Sequence, residues 1–289
     1  MRVLVLGAGG QVGRAVAQTA PSGHEVIART RADVDIGDAS AVGREIAEAA
    51  ADWVVNAGAY TAVDLAEDEP QKAAAINDAA VGAIAAAVAR AGRRVLHLST
   101  DFVFDGTSSR AYLPGDAPKP LSVYGATKLA GEARVLESDC EGLVLRTAWV
   151  YAATGRNFVL TMLRLMRERE QVRVVSDQIG APTWASGLAR AIWGLIGVGA
   201  GAGLYHWTDL GVASWYDFAV AIQEEALVRG LLPRATTIVP IATADYPTRA
   251  RRPAFSVLDT SATRALLPTT AALHWRANLR TMLDELRTA

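Results

Sequence analysis

Apolar residues in the first half of the chain come in short unbroken runs, RVLVLG, HEVIA, WVVNA, RVLHLS and GLVLRTAWV, separated by longer stretches with helical spacing. Continuous runs, as opposed to alternating ones, mark strands covered by helices on both faces. A helix is expected over 11–20, with others near 39–50, near 71–90 and from Val123 onward. This pattern predicts an α/β fold, a Rossmann-like doubly wound parallel sheet. After Trp149 the rhythm loosens: helices are expected over 157–170, 184–195 and 214–228, a strand at 171–176, and a last helix in LHWRANLRTMLDEL. The glycine-rich 197–207 reads as a helix end, a loop and a short strand. Pro240, Pro247 and Pro253 predict that 241–256 is mostly loop.

Composition narrows the class. With 289 residues, 51% hydrophobic and 20% charged, the chain can bury a large core and is not a disordered polymer. A net charge of −1 gives no global field for nucleic acid or an anionic membrane, so neither is expected as a partner, and an anionic ligand must be met by local groups. The single cysteine, Cys140, excludes a disulfide framework and a cysteine-built zinc site, and suits a thiol in a reducing compartment. The chain opens on a strand without the pattern of an export signal, and the most apolar later region, 188–204, is interrupted by Arg190 and several glycines. A soluble, cytoplasmic protein is the expectation.

Candidate chemistry begins at GAGGQVG, placed between the first strand and the first helix. There Gly7, Gly10 and Gly13, with Gln11 and Val12 between them, suit a tight turn, close approach of a pyrophosphate and close helix–sheet packing. Read alone, the string also suits a strand–helix turn with no ligand. The second strand ends in VIARTR, without the acidic residue that would bind an adenosine ribose, so Arg29 and Arg31 are candidates for a 2′-phosphate or else decorate a solvated strand end. Asp35 and Ile36 are placed to border the adenine. Ala57, Gly58 and Ala59 follow the third strand and can pass beside the cofactor ribose, with Tyr60 closing one side; ordinary turn packing explains them equally. The cofactor expected is NADPH or NADH, with a modest tilt to NADPH.

In YGATK, Tyr124 and Lys128 share one helical face at i and i+4, so the lysine can lower the tyrosine pKa and reach a ribose while Tyr124 donates a proton to a developing alkoxide. Ser99 and Thr100, at the end of the strand in LSTD, supply hydroxyls to orient a carbonyl. The chain has 3 lysines against 26 arginines, so a lysine retained here suits a compact amine with a tunable pKa; a surface lysine is the plain alternative.

Taken in order, GAGGQVG, YTAVDLAE, LSTDFVFDG, SVYGATKLAGE, RTAWVY, NFVLTMLRL, VVSDQIGAPT and RRPAFSVLD run across nearly the whole chain, which thereby resembles the dTDP-4-dehydrorhamnose reductase family within the extended short-chain dehydrogenases/reductases. The resemblance implies an oxidoreductase that reduces the C4 ketone of dTDP-4-dehydro-L-rhamnose to dTDP-L-rhamnose with NAD(P)H. Thr100, Tyr124 and Lys128 would be its catalytic residues, and a dTDP-sugar its substrate. It further implies that Trp149 lines the sugar-nucleotide pocket, that Val63 lies in a substrate loop, and that Asn157, Gln178 and Arg252 border the substrate. The arginines and prolines of 246–256 would form a semirigid wall against the diphosphate. Residues 1–150 would then bind the cofactor, and 151–289 mainly the substrate as a smaller mixed α/β domain, with segments near 171–197 returning to the first. Some relatives form a magnesium-bridged dimer through a glutamate early in the first helix; Arg14 and Ala15 stand there, so no metal site is expected, and a homodimer would need another surface. Two competing readings are a nucleotide-sugar epimerase or dehydratase that retains its nicotinamide, and a noncatalytic regulatory subunit.

Overall fold

In the computed structural model, which describes residues 1–270 and 272–288, the apolar runs become the strands of one six-stranded sheet. In chain order the first elements are β1 (Arg2–Leu6), α1 (Gln11–Gln18), β2 (Glu25–Arg29), α2 (Ala39–Ala49), β3 (Trp53–Asn56), α3 (Val63–Ala66), α4 (Pro70–Ala74), α5 (Ala80–Arg90) and β4 (Arg94–Thr100). Then come α6 (Val123–Leu136), β5 (Glu141–Thr147), β6 (Val150–Tyr151), α7 (Phe158–Glu168), β7 (Gln171–Val175), β8 (Ile179–Gly180), β9 (Thr183–Trp184) and α8 (Ala185–Gly197). The chain ends in β10 (Gly203–His206), β11 (Ala213–Ser214), α9 (Trp215–Val228), β12 (Thr237–Ile241), α10 (Ser261–Leu266) and α11 (Trp275–Thr288).

The sheet has the order β10-β5-β4-β3-β1-β2 and all its pairs are parallel. After β2 the chain crosses to the other side of β1 and begins β3, so the winding reverses between β1 and β3. In open α/β sheets that reversal opens a crevice at the strands' carboxyl ends. One face of the sheet is covered by α1 and α8, joined where the Trp193 indole donates to the Val16 carbonyl at 2.9 Å. The other face carries α2, α5 and α6. Helix α4, a π-turn at Ala75–Ala79 and α5 run on as 21 residues long and apolar enough to cross a membrane. Val81, Ile84 and Val88 of this helix are buried against the sheet, so its apolar side belongs to the core.

A second core gathers α7, α9, α11 and β7 around Phe218, Met166 and Leu279. Within 171–197, β7 pairs with β12 in this smaller layer, whereas α8 packs on α1, and β10 at 203–206 supplies the edge strand of the main sheet. Pro240 lies inside β12 and does not end it, because a two-stranded sheet leaves that strand an unpaired edge where the missing N–H is tolerated.

The least compensable interaction in the sheet core is ionic. Arg146 of β5 grips Glu132 of α6 with two hydrogen bonds of 2.8 and 2.6 Å, both side chains being 2% exposed. Ser99, the register partner of Arg146 on β4, donates to the same carboxylate at 2.5 Å, and the Phe104 ring lies 5.0 Å from the guanidinium carbon. Removing one partner strands a buried charge, which costs about 3–5 kcal/mol, whereas replacing both with apolar groups can be nearly neutral. Denaturant unfolding of Arg146→Met should therefore show a loss of that order, and adding Glu132→Leu should restore a large part of it. Additive losses in the double variant would refute this coupling.

Candidate active site

Three glycines make the crevice beyond β1. Gly7 has φ +78°, and a Cβ on it would lie 2.5 Å from the Gly58 nitrogen; a Cβ on Gly13 would lie 2.4 Å from the Gly7 carbonyl oxygen. A Cβ on Gly58 would meet Ile36 at 2.7 Å. Turn, helix start and third strand end are thus in backbone contact, and α1 begins at Gly10 with no side chain capping its free N–H groups. This opening suits a diphosphate. A cleft of about 280 Å³ lies here, walled by Gly7, Gly10, Arg31, Asp35, Ile36, Ala57, Gly58, Ala59 and Tyr60 from the sequence expectation, and by Gly9, Val34, Lys72 and Ile76, which it missed.

Six residues expected to meet the cofactor do not wall this cleft: Tyr124 and Lys128, on α6, and four near the turn and β2. Gly13 is buried behind the turn, and Val12 packs against the core. Gln11 accepts a hydrogen bond from Asn157 at 2.9 Å. Of the two candidate arginines, Arg29 stands apart from the cleft: its guanidinium donates to Glu45 of α2 at 2.8 Å. Arg31 is largely exposed, 3.6 Å from Asp35, and does wall it.

Thr100 and Tyr124 come from the end of β4 and the first turn of α6. Helix α6 is capped by Ser122, whose hydroxyl accepts from the Gly125 N–H, while Glu67 accepts from the Val123 N–H at 2.8 Å. Gly125 lets the helix rest on the short turn Asp101–Val103: a Cβ would fall 2.3 Å from the Phe102 carbonyl oxygen. The Tyr124 ring meets Phe102 edge-on at 5.6 Å. Burial pushes the Tyr124 hydroxyl up to about 12, opposed by its hydrogen bond with Thr100 and reinforced by nearby Asp101. The net shift is upward, opposite to the lowering expected from Lys128, because burial outweighs the Thr100 hydrogen bond. Thr100 Oγ1 donates to Asp101 Oδ1 at 3.0 Å, and burial raises the Asp101 carboxyl to about 6 against the hydroxyls of Ser256 and Thr100.

Lys128 is 2% exposed. Its Nζ donates to the Leu98 carbonyl at 2.6 Å and lies 3.3 Å from Nε2 of His97. Burial lowers it to about 8, with Glu132 pulling the other way. His97 Nδ1 lies 3.0 Å from Nδ2 of Asn56, whose Oδ1 accepts from the Gly58 N–H at 3.1 Å. Neither Asn56 nor His97 was singled out as a site residue from sequence; the visible signal was one polar residue inside each apolar strand run. Asn77, in the π-turn, was also missed: its amide holds the Tyr60 backbone at 2.9 and 3.0 Å and reaches Thr127 of α6.

A second cavity of about 720 Å³ lies in the smaller layer, walled by Phe158, Trp215, Gln178, Tyr246 and Arg252 among others. Thr100, Tyr124 and Lys128 are not among its walls. Of the expected substrate residues, Gln178 and Arg252 face it. Gln178 bridges Thr243 and the Trp215 indole. Arg252 forms a bidentate pair with Asp64 at 2.6 and 3.1 Å, which holds that carboxyl below its ordinary range. Trp149, Val63 and Asn157 do not wall it. Trp149, at φ +46°, stacks at 3.5 Å on Trp215, and of these two it is Trp215 that faces the cavity. Asn157 caps α7 and ties it to Gln11 and Ala152. Val63 opens α3.

Comparisons with known proteins agree with this architecture. A family profile described as the RmlD substrate binding domain matches residues 1–288. The dTDP-4-dehydrorhamnose reductase of Burkholderia thailandensis is 45% identical over 272 residues, 91% of each chain. That of Escherichia coli K12 is 41% identical over 300 residues, 100% of this chain and 99% of the relative. Among solved structures, the reductase of Clostridium acetobutylicum superposes with a TM-score of 0.92 at 35% identity, covering 99% of this chain and all of that one. The reductase of Bacillus anthracis in complex with NADP gives 0.92 at 32%, covering 98% and 99%. A profile matched over almost the full length, together with relatives of this identity and coverage, establishes that the chain belongs to the RmlD family of dTDP-4-dehydrorhamnose reductases.

Proposed function

We propose that the protein uses NADPH or NADH to reduce the C4 ketone of dTDP-4-dehydro-L-rhamnose to dTDP-L-rhamnose. The observation that carries this reading is the placing of Thr100, Tyr124 and Lys128 at the junction of β4 and α6 in a chain of this family. The glycine crevice, with its uncapped helix start and its missing Cβ atoms, fits a dinucleotide, which when bound supplies the hydride. Thr100 would orient the ketone oxygen. Tyr124 would give its proton to the oxygen as charge develops there, and a hydroxyl held near 12 is fully protonated for that task at neutral pH. Lys128 would hold the nicotinamide ribose and, when charged, ease the ionisation of Tyr124 until the phenol regains its proton from solvent or a ribose hydroxyl. The 720 Å³ cavity, with Trp215 to stack and Arg252 to meet anionic oxygen, would take the dTDP moiety. A reducing compartment such as the cytoplasm suits the lone thiol of Cys140.

Turnover should consume one external NAD(P)H per sugar reduced, and Tyr124→Phe should lower kcat by roughly 10²–10⁴-fold. Sugar conversion without net cofactor loss would indicate an epimerase or dehydratase, and partner binding without turnover a regulatory subunit. For cofactor choice, Arg31→Ala should reduce kcat/KM for NADPH by roughly tenfold or more while sparing NADH, the loss of a charged hydrogen bond being about 1.5–3 kcal/mol. Arg29→Ala should leave the preference alone, since Glu45 already holds that guanidinium; an equal response of the two cofactors to Arg31→Ala removes Arg31 from the explanation. In a dTDP titration, Arg252→Ala should weaken binding markedly and leave NADPH affinity nearly unchanged; an unaltered dTDP affinity would reject the wall assigned to Arg252.

A further inference from the structure

A buried chain of polar groups joins the cofactor cleft to Lys128. It runs from the Gly58 N–H to Asn56 Oδ1, from Asn56 Nδ2 to His97 Nδ1, from His97 Nε2 to Lys128 Nζ, and from Nζ to the Leu98 carbonyl, at 3.1, 3.0, 3.3 and 2.6 Å. Asn56, His97 and Lys128 are 1%, 0% and 2% exposed, so water does not complete their valences. Asn56 and His97 are direct register partners on β3 and β4, which fixes their approach.

The direction of each hydrogen bond follows from one group whose role is invariant. The Gly58 amide can only donate, so it turns the Asn56 carbonyl toward itself and the Asn56 NH2 toward His97. His97 Nδ1 must then accept, which leaves the ring hydrogen on Nε2, aimed at Lys128. An ammonium has no lone pair to receive it; an amine has one. The chain is satisfied end to end only when Lys128 is uncharged. A charged Lys128 needs the opposite polarity: Nε2 accepting, Nδ1–H donating, and the Asn56 carbonyl turned to His97, with the Gly58 N–H released into the cleft it walls.

We propose that Asn56 and His97 are positioning residues that couple the charge on Lys128 to occupation of the cofactor cleft. In the empty cleft the chain favours the amine form of Lys128. An oxygen acceptor docked at the Gly58 amide frees Asn56 to turn, and Lys128 takes a proton from solvent and becomes an ammonium, the form that eases Tyr124 ionisation. This rests on the reductase reading above for its catalytic meaning. The setting supports it. Burial alone favours a neutral His97 ring, and a charge on Lys128 would only push its pKa further down, so the ring is neutral in either form of the lysine; burial also lowers Lys128, to about 8. The other groups facing Lys128 do not replace the missing lone pair. Tyr124 shares its helix and carries a proton; Glu132, one turn on, is occupied by Arg146 of β5 and Ser99 of β4; Asp101, in the turn after β4, faces Tyr124; Asn77 and Thr127 are neutral.

Nitrogen-15 NMR of the cofactor-free protein reads both ends of the chain, a spectrum simplified by the 3 lysines and 4 histidines present. His97 should appear as the neutral Nε2–H tautomer, and Lys128 should titrate below the other two lysines. NADPH binding near pH 8–9 in weak buffer should draw up to about one proton per site from solution. Asn56→Asp keeps an acceptor for Gly58 but accepts from His97 as well; it should move the ring hydrogen to Nδ1, raise the Lys128 midpoint by about one pH unit or more, and abolish proton uptake. An Nδ1–H tautomer in the wild-type protein overturns the proposal, and that measurement needs no variant to fold. So does NADPH binding without proton uptake, or an unmoved Lys128 midpoint in Asn56→Asp. A protein that shows the tautomer, the titration and the uptake but reduces no dTDP-sugar refutes the reductase reading and leaves the coupling standing; absence of binding of both NADPH and NADH refutes both.

Discussion

The backbone of α6 must come closer to its neighbours than a side chain allows, and the position of the candidate catalytic residues depends on that approach. Gly125 sets the first turn against Phe102, and Gly131 sets the next part of the helix against Asn77, where a Cβ would lie 2.1 Å from the carbonyl oxygen. Two glycines in a helix interior cost about 1 kcal/mol each against alanine. The return is spatial: Tyr124 arrives beside Thr100 and Lys128 beneath the end of β4. The helix is also held from outside, by the Ser122 cap, by Glu67 at its entry, and by the Glu132–Arg146 pair farther along. A shift of one residue along α6 would break every one of these contacts.

Close docking also dries the site, and drying acts on each titratable group in the same sense, toward its neutral form. Tyr124 is pushed up to about 12, Asp101 up to about 6, Lys128 down to about 8 and His206 down to about 4. Next to the site the buried charges of Glu132 and Arg146 cancel as a pair. Charge appearing on a ketone oxygen in such surroundings would be poorly screened, so a proton donor beside it, the role proposed for Tyr124, would be needed as that charge develops. The same dryness explains why hydrogen-bond direction carries information between Gly58 and Lys128: with water excluded, a reversed donor has nowhere else to go.

The parts of this design that repeat along the chain were legible in the sequence. Unbroken apolar runs revealed the parallel sheet, the glycine string marked the turn after β1, and the i, i+4 spacing placed Tyr124 and Lys128 on one face. Side-chain direction at the ends of elements was not legible. Arg29 and Arg31 differ by two positions, yet one is captured by Glu45 on α2 and the other reaches the cleft, a choice made by a helix 16 residues away. Trp149 and Trp215 stack face to face, and only the tertiary fold decides which of them meets the cavity. Asn56 and His97 are 41 residues apart and meet through strand register, which a single sequence does not print. Pro240 misled for the converse reason, since its strand has an edge where a proline does no harm.

The two cavities are joined by one short piece of chain. The loop after β3 walls the cofactor cleft with Ala57, Gly58, Ala59 and Tyr60, and runs directly into α3, where Asp64 grips Arg252 on the wall of the larger cavity. Arg249 pairs with Asp68 just beyond, so the arginine loop is fastened to this segment at two points. On the other side of the glycine turn, Gln11 and Asn157 link the start of α1 to the cap of α7. Ligands in either cavity therefore press on structure that the other cavity shares. Anionic oxygen drawing Arg252 from Asp64 would loosen α3 at its first turn, four residues from the Tyr60 backbone that Asn77 holds against α6. A path from the larger cavity to the Tyr124 helix would thus pass through hydrogen bonds to buried side chains, which have discrete partners to exchange.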